Sequence, residues 1–241
     1  MSTITDQIST SIDTLTREFD LIAHNLANVS TVGYKRRCNA FSKSLEMQEQ
    51  NASSSGAGES SGPLDFSQGS VIETGRPLDL ALYGKGFLVV ETPNGPLYTR
   101  NGVLYVNQNN QIVDSMGRIV AGQLGPITVP GNVGISQLSV SSSGTLSANG
   151  ADIGTLMLVN FEDESQLVPT GESCYRMPVE NVTPVAAENI SVKQGYQEAS
   201  NVKVIDELVG MILVSRLYEA NMKSISALKE TSSSLTSAAM G

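Results

Sequence analysis

The stretch QGYQEASNVKVIDELVGMILVSRLYEANMKSISALKETSSSLTSAAMG, residues 194–241, decides the fold of this chain. From residue 204 onward, apolar side chains recur in alternating steps of four and three, which is the spacing of a coiled-coil seam. Further apolar residues such as Ile205, Val209 and Ile212 widen this face, so a helix covered on more than one side is predicted. The predicted seam is Val204, Leu208, Met211, Ser215, Tyr218, Met222 and Ile225.

The amino terminus carries a matching stripe. Residues 3–28 open on Ser, Thr and Asp residues that can cap a helix, and Gly33 follows in a predicted turn. A helix over residues 3–28 is therefore predicted, and its stripe makes it the partner of the carboxyl-terminal helix. Its predicted seam residues are Ile8, Ile12, Leu15, Phe19, Ile22 and Leu26.

Between the two helices, the hydrophobic period changes to two. Short apolar runs alternate with turn sequences such as Asn101-Gly102, which predicts an all-β domain over residues 76–183. Residues 35–75 are predicted to be an extended or flexible linker arm, because NASSSGAGESSG (51–62) is too polar to pack. The predicted strand runs are 79–82, 87–90, 97–99, 103–106, 111–113, 127–129, 135–140, 145–146, 156–161 and 175–179.

The predicted fold class is α+β, with paired N- and C-terminal coiled-coil-like helices and a central all-β domain. Residues 1–34 form the amino-terminal helix and turn in this division, and residues 184–241 form a return segment followed by the long helix. The 241 residues, of which 40% are apolar, are enough to bury a core.

Composition argues against several classes of partner. The net charge of −9 argues against nucleic acid, because phosphate binding needs a basic surface. The one basic run, Lys35-Arg36-Arg37, is interpreted as a solvated turn. The sequence has no apolar run long enough for a membrane span and no secretory signal pattern at residues 1–30.

Residues that could support catalysis are isolated. His24 lies between apolar positions of the first helix and is interpreted as structural. Gly84-Lys85-Gly86 enters a predicted strand, so a tight turn is favoured over a phosphate-binding loop. Cys38 and Cys174 are far apart in the sequence, and two free thiols are favoured over a disulfide bond. We therefore predict no catalytic, cofactor-binding or metal-binding residues, no small-molecule substrate and no enzyme activity.

Several motifs occur in a characteristic order along the chain. The first is HNLANVSTVGYK (24–35), followed by TGRPLDLA (74–81) and GKGF (84–87). YTRNG (98–102), QGYQEASNV (194–202) and RLYEAN (216–221) complete the series. The motif residues of interest are Asn25, Asn28, Thr31, Gly33, Tyr34, Gly86, Phe87, Tyr98, Thr99, Arg100, Gln194, Gly195, Ser200, Asn201, Val202, Tyr218 and Glu219.

This order resembles that of the bacterial flagellar axial proteins, which build the basal-body rod and the hook. The resemblance implies a structural subunit that polymerises with itself and with other rod proteins into a tube. In such a tube the terminal helices pack inside and the β domain lies outside, so both predicted seams are expected to form subunit contacts. It also implies export through the flagellar type III apparatus without a cleaved signal, and a location in the rod, in the periplasmic space.

Within this family, the run GQLGPITVP (122–130) resembles the proximal-rod, F-type member. The stretch between the amino-terminal motif and the β domain is also shorter than is usual for the distal-rod, G-type member, which is the second choice. Outside the family, the alternative is a secreted β-rich adhesin or binding module whose helices form an oligomerising stalk.

Overall fold

A computed structural model shows two helices and a β-rich middle, which confirms the α+β class. Residues 39–62 of the predicted linker arm and residues 179–183 of the predicted β domain lie outside the described residues. The structure describes residues 2–38, 63–178, 184–187 and 189–240.

The chain divides into two compact units, each made of segments distant in sequence. The helical unit comprises Met1–Ala27, Arg37–Ser53 and Lys203–Gly241. The β unit comprises Asn28–Arg36 and Ser54–Val202.

The helical unit contains α1 (Ser2–Ala27) and α2 (Val204–Met240). Asp206 and Glu207 lie in the first turn of α2, where negative charge is favourable beside the helix dipole. Leu15 and Ile22 of α1 pack with Val214 of α2 in a small apolar core.

The β unit contains 17 strands within the described residues. They are β1 (Val71–Glu73), β2 (Leu80–Tyr83), β3 (Phe87–Thr92), β4 (Gly95–Thr99), β5 (Tyr105–Val106), β6 (Ile112–Val113), β7 (Ile119–Gly122), β8 (Gly125–Pro126), β9 (Leu138–Val140), β10 (Thr145–Ala148), β11 (Ala151–Thr155), β12 (Leu158–Asn160), β13 (Val168–Gly171), β14 (Cys174–Arg176), β15 (Val185–Ala186), β16 (Ser191–Gln194) and β17 (Tyr196–Glu198).

The strands pair antiparallel throughout the described part of the chain. The largest sheet there has ten strands, with β13-β14-β4-β3-β7-β6-β5 as its main path. A three-stranded sheet orders β11-β10-β9, and two ribbons pair β1 with β17 and β16 with β2. Leu80, Leu82, Leu88 and Val90 lie in the main core, whereas Phe87 and Val89 lie in a second core, so both faces of β3 are buried.

Several details of the β unit differ from the prediction, and β1, β7, β11 and β13 lie outside every predicted strand run. Residues 127–129 form only an isolated bridge at Thr128, while the neighbouring strand is β8. Ile135–Gln137 form a 3-10 turn, because Gln137 N donates to the Gly134 carbonyl before β9 begins. The predicted return segment carries β15, β16 and β17, since Gly195 (φ +79°) turns the chain between two paired strands.

Candidate functional site

Asn25 is the central polar contact of the helical unit. Its side chain is 1% exposed, and its carboxamide pairs with the backbone of Arg37 in both directions, each at 2.9 Å. The same Nδ2 lies 3.4 Å from Oε1 of the buried Glu207. Asn25, a residue of the first motif, therefore links the end of α1, the backbone at Arg37 and the start of α2.

The remaining seam between α1 and α2 fixes their register. Asn221 Nδ2 donates to Ser11 Oγ at 3.0 Å, so the helices run antiparallel given the Asn25–Glu207 contact at the other end. A Cβ at Gly210 would lie 3.3 Å from Ile22 Cδ1. Glycine therefore allows a close approach of α2 to the α1 side chain.

The predicted seam residues differ in how deeply they are buried. On α1, Leu15 and Ile22 are buried, Ile8, Ile12 and Leu26 are half-buried, and Phe19 is exposed. On α2, Met211, Ser215 and Ile225 are half-buried, whereas Val204, Leu208, Tyr218 and Met222 are exposed. The reason is that Glu207, Gly210, Val214 and Asn221 lie against α1, so the paired face of α2 is rotated from the predicted one.

Ten apolar side chains of α2 remain exposed in the described part of the chain, and together they are named the exposed apolar face of α2. Its members are 40–75% exposed although α2 is already paired with α1. A surface this apolar is typical of a protein-protein contact. The face consists of Val204, Ile205, Leu208, Val209, Ile212, Leu213, Leu217, Tyr218, Met222 and Leu228.

The β unit contains a buried ion cluster of Lys35, Arg100 and Glu198, with exposures of 1%, 4% and 0%. Lys35 Nζ lies 2.7 Å from Glu198 Oε1, and it also donates to the Ser67 carbonyl at 2.6 Å. Arg100 Nε lies 3.1 Å from Glu198 Oε2, without hydrogen-bond geometry. Burial lowers the pKa of Lys35, while the charge of Glu198 acts in the opposite direction.

Backbone contacts surround the ion cluster. Arg100 also donates to the carbonyls of Gly84 and Gly86, at 2.8 and 2.7 Å, and Gly69 N donates to Glu198 Oε1 at 3.0 Å. A Cβ at Gly33 would lie 2.5 Å from Asn101 N, so only glycine allows this crossing. Residues from four family motifs therefore meet at one buried point.

The QGYQE motif forms a second set of contacts. Gln194 Nε2 donates to the carbonyls of Pro77 and Leu138, at 2.8 and 2.9 Å. Gly195 N donates to the Asp79 carbonyl at 2.8 Å, and the Asp79 carboxylate accepts from Thr74 Oγ1 at 2.7 Å. The TGRPLD and QGYQE motifs are therefore two sides of one hydrogen-bonded junction.

The other motif residues have structural contacts or lie at the surface. Phe87 and Tyr98 are buried in an aromatic core, Thr99 Oγ1 donates to the Ser173 carbonyl, and Tyr34 is buried. Thr31 Oγ1 donates to Asn28 Oδ1, and Ser200 Oγ accepts from Val202 N. Asn201 Oδ1 accepts from Arg36 N at 2.7 Å, whereas Tyr218 and Glu219 are exposed.

The ion cluster is not predicted from the sequence, and Arg100 is named there only as a motif residue. The interpretation of Lys35 as part of a solvated turn is wrong, because its ammonium group has a buried carboxylate partner. Glu198 stands out in the sequence only as part of a motif. The available signal is that Glu198 is the lone acidic residue in the QGYQEASNV motif. Each of the other five motifs contains one Lys or Arg, so the sequence does not show which of these cations pair with Glu198.

Residues 84–86 and the two cysteines have the predicted local structure. Gly84 and Gly86 have φ of +93° and +143° between β2 and β3, which confirms a turn. Cys38 and Cys174 are buried, and they are not joined in a disulfide bond. The described residues include no group of three or more His, Cys, Asp or Glu side chains placed to hold a metal ion. No helix among them has the length and apolarity needed to cross a membrane.

His24 is expected to make the helical unit less stable in acid. Partial burial lowers the pKa of His24 from 6.5, and the charge of Arg37 adds to this effect. The unfolded chain therefore binds more protons below about pH 6.5, so the free energy of unfolding falls as the pH is lowered through that value. Urea unfolding at several pH values, monitored by helix content, should show a weaker dependence for His24→Asn. Identical profiles would contradict this prediction.

Comparison with known proteins gives a consistent result. The description "Flagellar basal body rod FlgEFG protein C-terminal" matches residues 193–238, and "Flagellar hook protein FlgE/F/G D1 domain" matches residues 81–148. The chain is 31% identical to the flagellar basal-body rod protein FlgG of Buchnera aphidicola subsp. Acyrthosiphon pisum, over 90% of this chain and 92% of the relative. The chain belongs to the flagellar basal-body rod protein family. This confirms the prediction of a structural subunit of the basal-body rod.

Other rod-protein relatives include both subtypes. The chain is 33% identical to FlgF of Salmonella typhimurium over 86% of each chain. It is 30% identical to FlgF of Caulobacter vibrioides over 92% of this chain and 91% of the relative. The two matched domains of this rod protein cover β2 to β10 and the segment from β16 through most of α2.

Proposed function

We propose that this rod protein polymerises helically through its terminal helices to form the drive shaft that transmits torque. The exposed apolar face of α2 carries this proposal. Burying a large apolar side chain contributes roughly 1.5–3 kcal/mol. Ten partly exposed side chains therefore supply far more free energy on assembly than surface ion pairs.

The proposed occupant of this face is the helical unit of another copy of the same chain. A tube requires heterologous contacts, in which one surface meets a different surface of the next subunit. The exposed Phe19 on α1 and the exposed apolar face of α2 offer two such surfaces. We propose a coiled-coil-like arrangement in which the residues of both predicted seams contribute to subunit contacts.

The two compact units suggest different positions in the rod for the helices and the β domain. We propose that the helices, within residues 1–34 and 184–241, form the inner rod and that the β domain over residues 76–183 lies outside, with residues 35–75 as the connecting arm. The concentration of apolar exposure on α2 supports this arrangement, because the innermost layer has the most neighbours.

We further propose that this protein is an F-type subunit of the proximal rod. The alternative is a G-type subunit of the distal rod. Relatives of both names match, so the sequence features of residues 122–130 and the short linker arm are the support. Electron microscopy of basal bodies carrying a labelled copy of this chain tests the assignment. Label density at the distal end of the rod would favour the G-type alternative.

The remaining functional proposals rest on family membership. The protein is exported by the flagellar type III apparatus, keeps its amino terminus, assembles with other rod proteins in the periplasmic space and has no enzyme activity. Mass spectrometry of the protein from purified basal bodies tests the export proposal. A shortened amino terminus would contradict it.

Leu208→Asp is expected to abolish rod assembly and motility while leaving the β unit folded. Leu208 is 43% exposed, so a charge is tolerated in the free chain but would be buried without a partner in the polymer. Leu208→Met is the matched control, because it preserves an apolar side chain of similar volume. Motility assays, basal-body preparation and urea unfolding of the purified protein give the three readouts. Normal rods in Leu208→Asp would show that this face is not an assembly surface.

A further inference from the structure

The segments that flank the two helices lie side by side within the β unit. Gly33 N donates to the Glu198 carbonyl at 2.8 Å, and Arg36 N donates to Asn201 Oδ1 at 2.7 Å. One segment follows α1 and the other precedes α2. Asn201 Nδ2 also donates to the Asp65 carbonyl at 2.8 Å, which adds a third segment to the junction.

The charge balance of the ion cluster depends on one carboxylate. Glu198 faces two cations, Lys35 and Arg100, and all three side chains are at least 96% buried. Neutralising Glu198 leaves two cations in a site that water does not reach, which is far more unfavourable than leaving a balanced ion pair. Removing Lys35 instead leaves Arg100 with its carboxylate, because their ion pair is separate from the Lys35 contact.

The cluster also reaches the sheet. Arg100 donates to the carbonyls of Gly84 and Gly86, which form the turn between β2 and β3. β2 pairs with β16, and β3 pairs with β4, β7 and β12. A disturbance at Glu198 is therefore connected through Arg100 to the centre of the largest sheet.

We propose that the ion cluster couples the two helix-flanking segments to the β sheet. These segments then detach from the rest of the β unit only when the β2–β3 region opens as well. The negative charge of Glu198 provides the coupling, in addition to its hydrogen bonds. This inference concerns the β unit of a single chain and does not depend on the proposed rod assembly.

Hydrogen exchange of the full-length protein tests this proposal. In Glu198→Gln, which keeps the shape of the side chain but removes its charge, amide exchange in residues 80–92 should accelerate at least tenfold. Lys35→Met should have a smaller effect, because Arg100 and Glu198 stay balanced. The double variant Lys35→Met/Glu198→Gln should exchange more slowly than Glu198→Gln alone, because one buried cation has been removed.

Glu207→Gln is the matched control, since Glu207 is also a buried glutamate (1% exposed) but belongs to the helical unit. It should leave exchange in residues 80–92 unchanged. The proposal would be overturned if residues 80–92 exchanged at the wild-type rate in Glu198→Gln. It would also be overturned if the effect of the double variant equalled the sum of the two single effects. If Glu198→Gln does not fold, recovery of folded protein in the double variant supports the proposal, and failure of the double variant beside a folded Lys35→Met overturns it.

Discussion

Gly102→Ala is expected to lower the free energy of unfolding of the β unit by about 3 kcal/mol or more. A Cβ at this position would lie 1.8 Å from the Leu80 carbonyl oxygen and 2.8 Å from its carbon. Leu80 cannot easily yield, because it is fully buried, its amide donates to the Gly102 carbonyl, and β2 is paired with β16. The clash therefore has to be relieved by moving backbone in the core. Urea unfolding followed by tyrosine fluorescence measures the loss, since Tyr98 and Tyr175 are buried in this unit.

Gly131→Ala is the matched control for this substitution. Gly131 also lacks a left-handed backbone, but the atom nearest to an added Cβ there would be Asn110 Nδ2, at 3.7 Å. Its free energy of unfolding should stay within about 0.5 kcal/mol of the parent protein. Equal unfolding midpoints for Gly102→Ala and Gly131→Ala would show that the close crossing at Leu80 is not a constraint.

Asn25→Ala is expected to destabilise the helical unit by about 2–4 kcal/mol. The substitution removes both hydrogen bonds to the Arg37 backbone and the contact with Glu207 in a site where Asn25 is 1% exposed. Buried polar groups that lose a partner are costly because water does not replace it. Thermal unfolding monitored by helix content, together with amide exchange in α1 and α2 of the full chain, measures the effect.

Asn221→Ala is the matched control, because it removes another asparagine that forms a hydrogen bond between α1 and α2. The Asn221–Ser11 hydrogen bond is exposed, so its loss should change the unfolding free energy by less than about 1 kcal/mol. If both variants lose the same helix stability, the special role assigned to Asn25 is wrong.

Local periodicity is sufficient to predict the fold class. The four-and-three spacing at both ends and the period of two between them correspond to α1, α2 and the β unit, because these patterns reflect which side chains can share one face. Turn residues are similarly informative. Gly33, Gly84 and Gly195 adopt the positive φ angles that their surroundings require.

Local periodicity cannot predict the return strands or the paired face of α2. β16 and β17 gain their partners, β2 and β1, from more than a hundred residues earlier in the chain. The spacing predicts that the most apolar stripe of α2 meets α1. Instead, Glu207, Gly210 and Asn221 lie against α1, because polar contacts and a close approach fix the register of the two helices. Apolar spacing indicates that a helix face will be buried, but it does not identify the partner.

The sequence by itself determined the family, the helix–β–helix order and the presence of an apolar stripe on each helix. Only the tertiary structure decided that Lys35, Arg100 and Glu198 form one buried cluster and that much of the apolar surface of α2 remains exposed beside α1. The physical reason is distance along the chain. A charge or an apolar side chain acquires its partner through folding of remote segments, whereas helix and strand patterns depend on near neighbours.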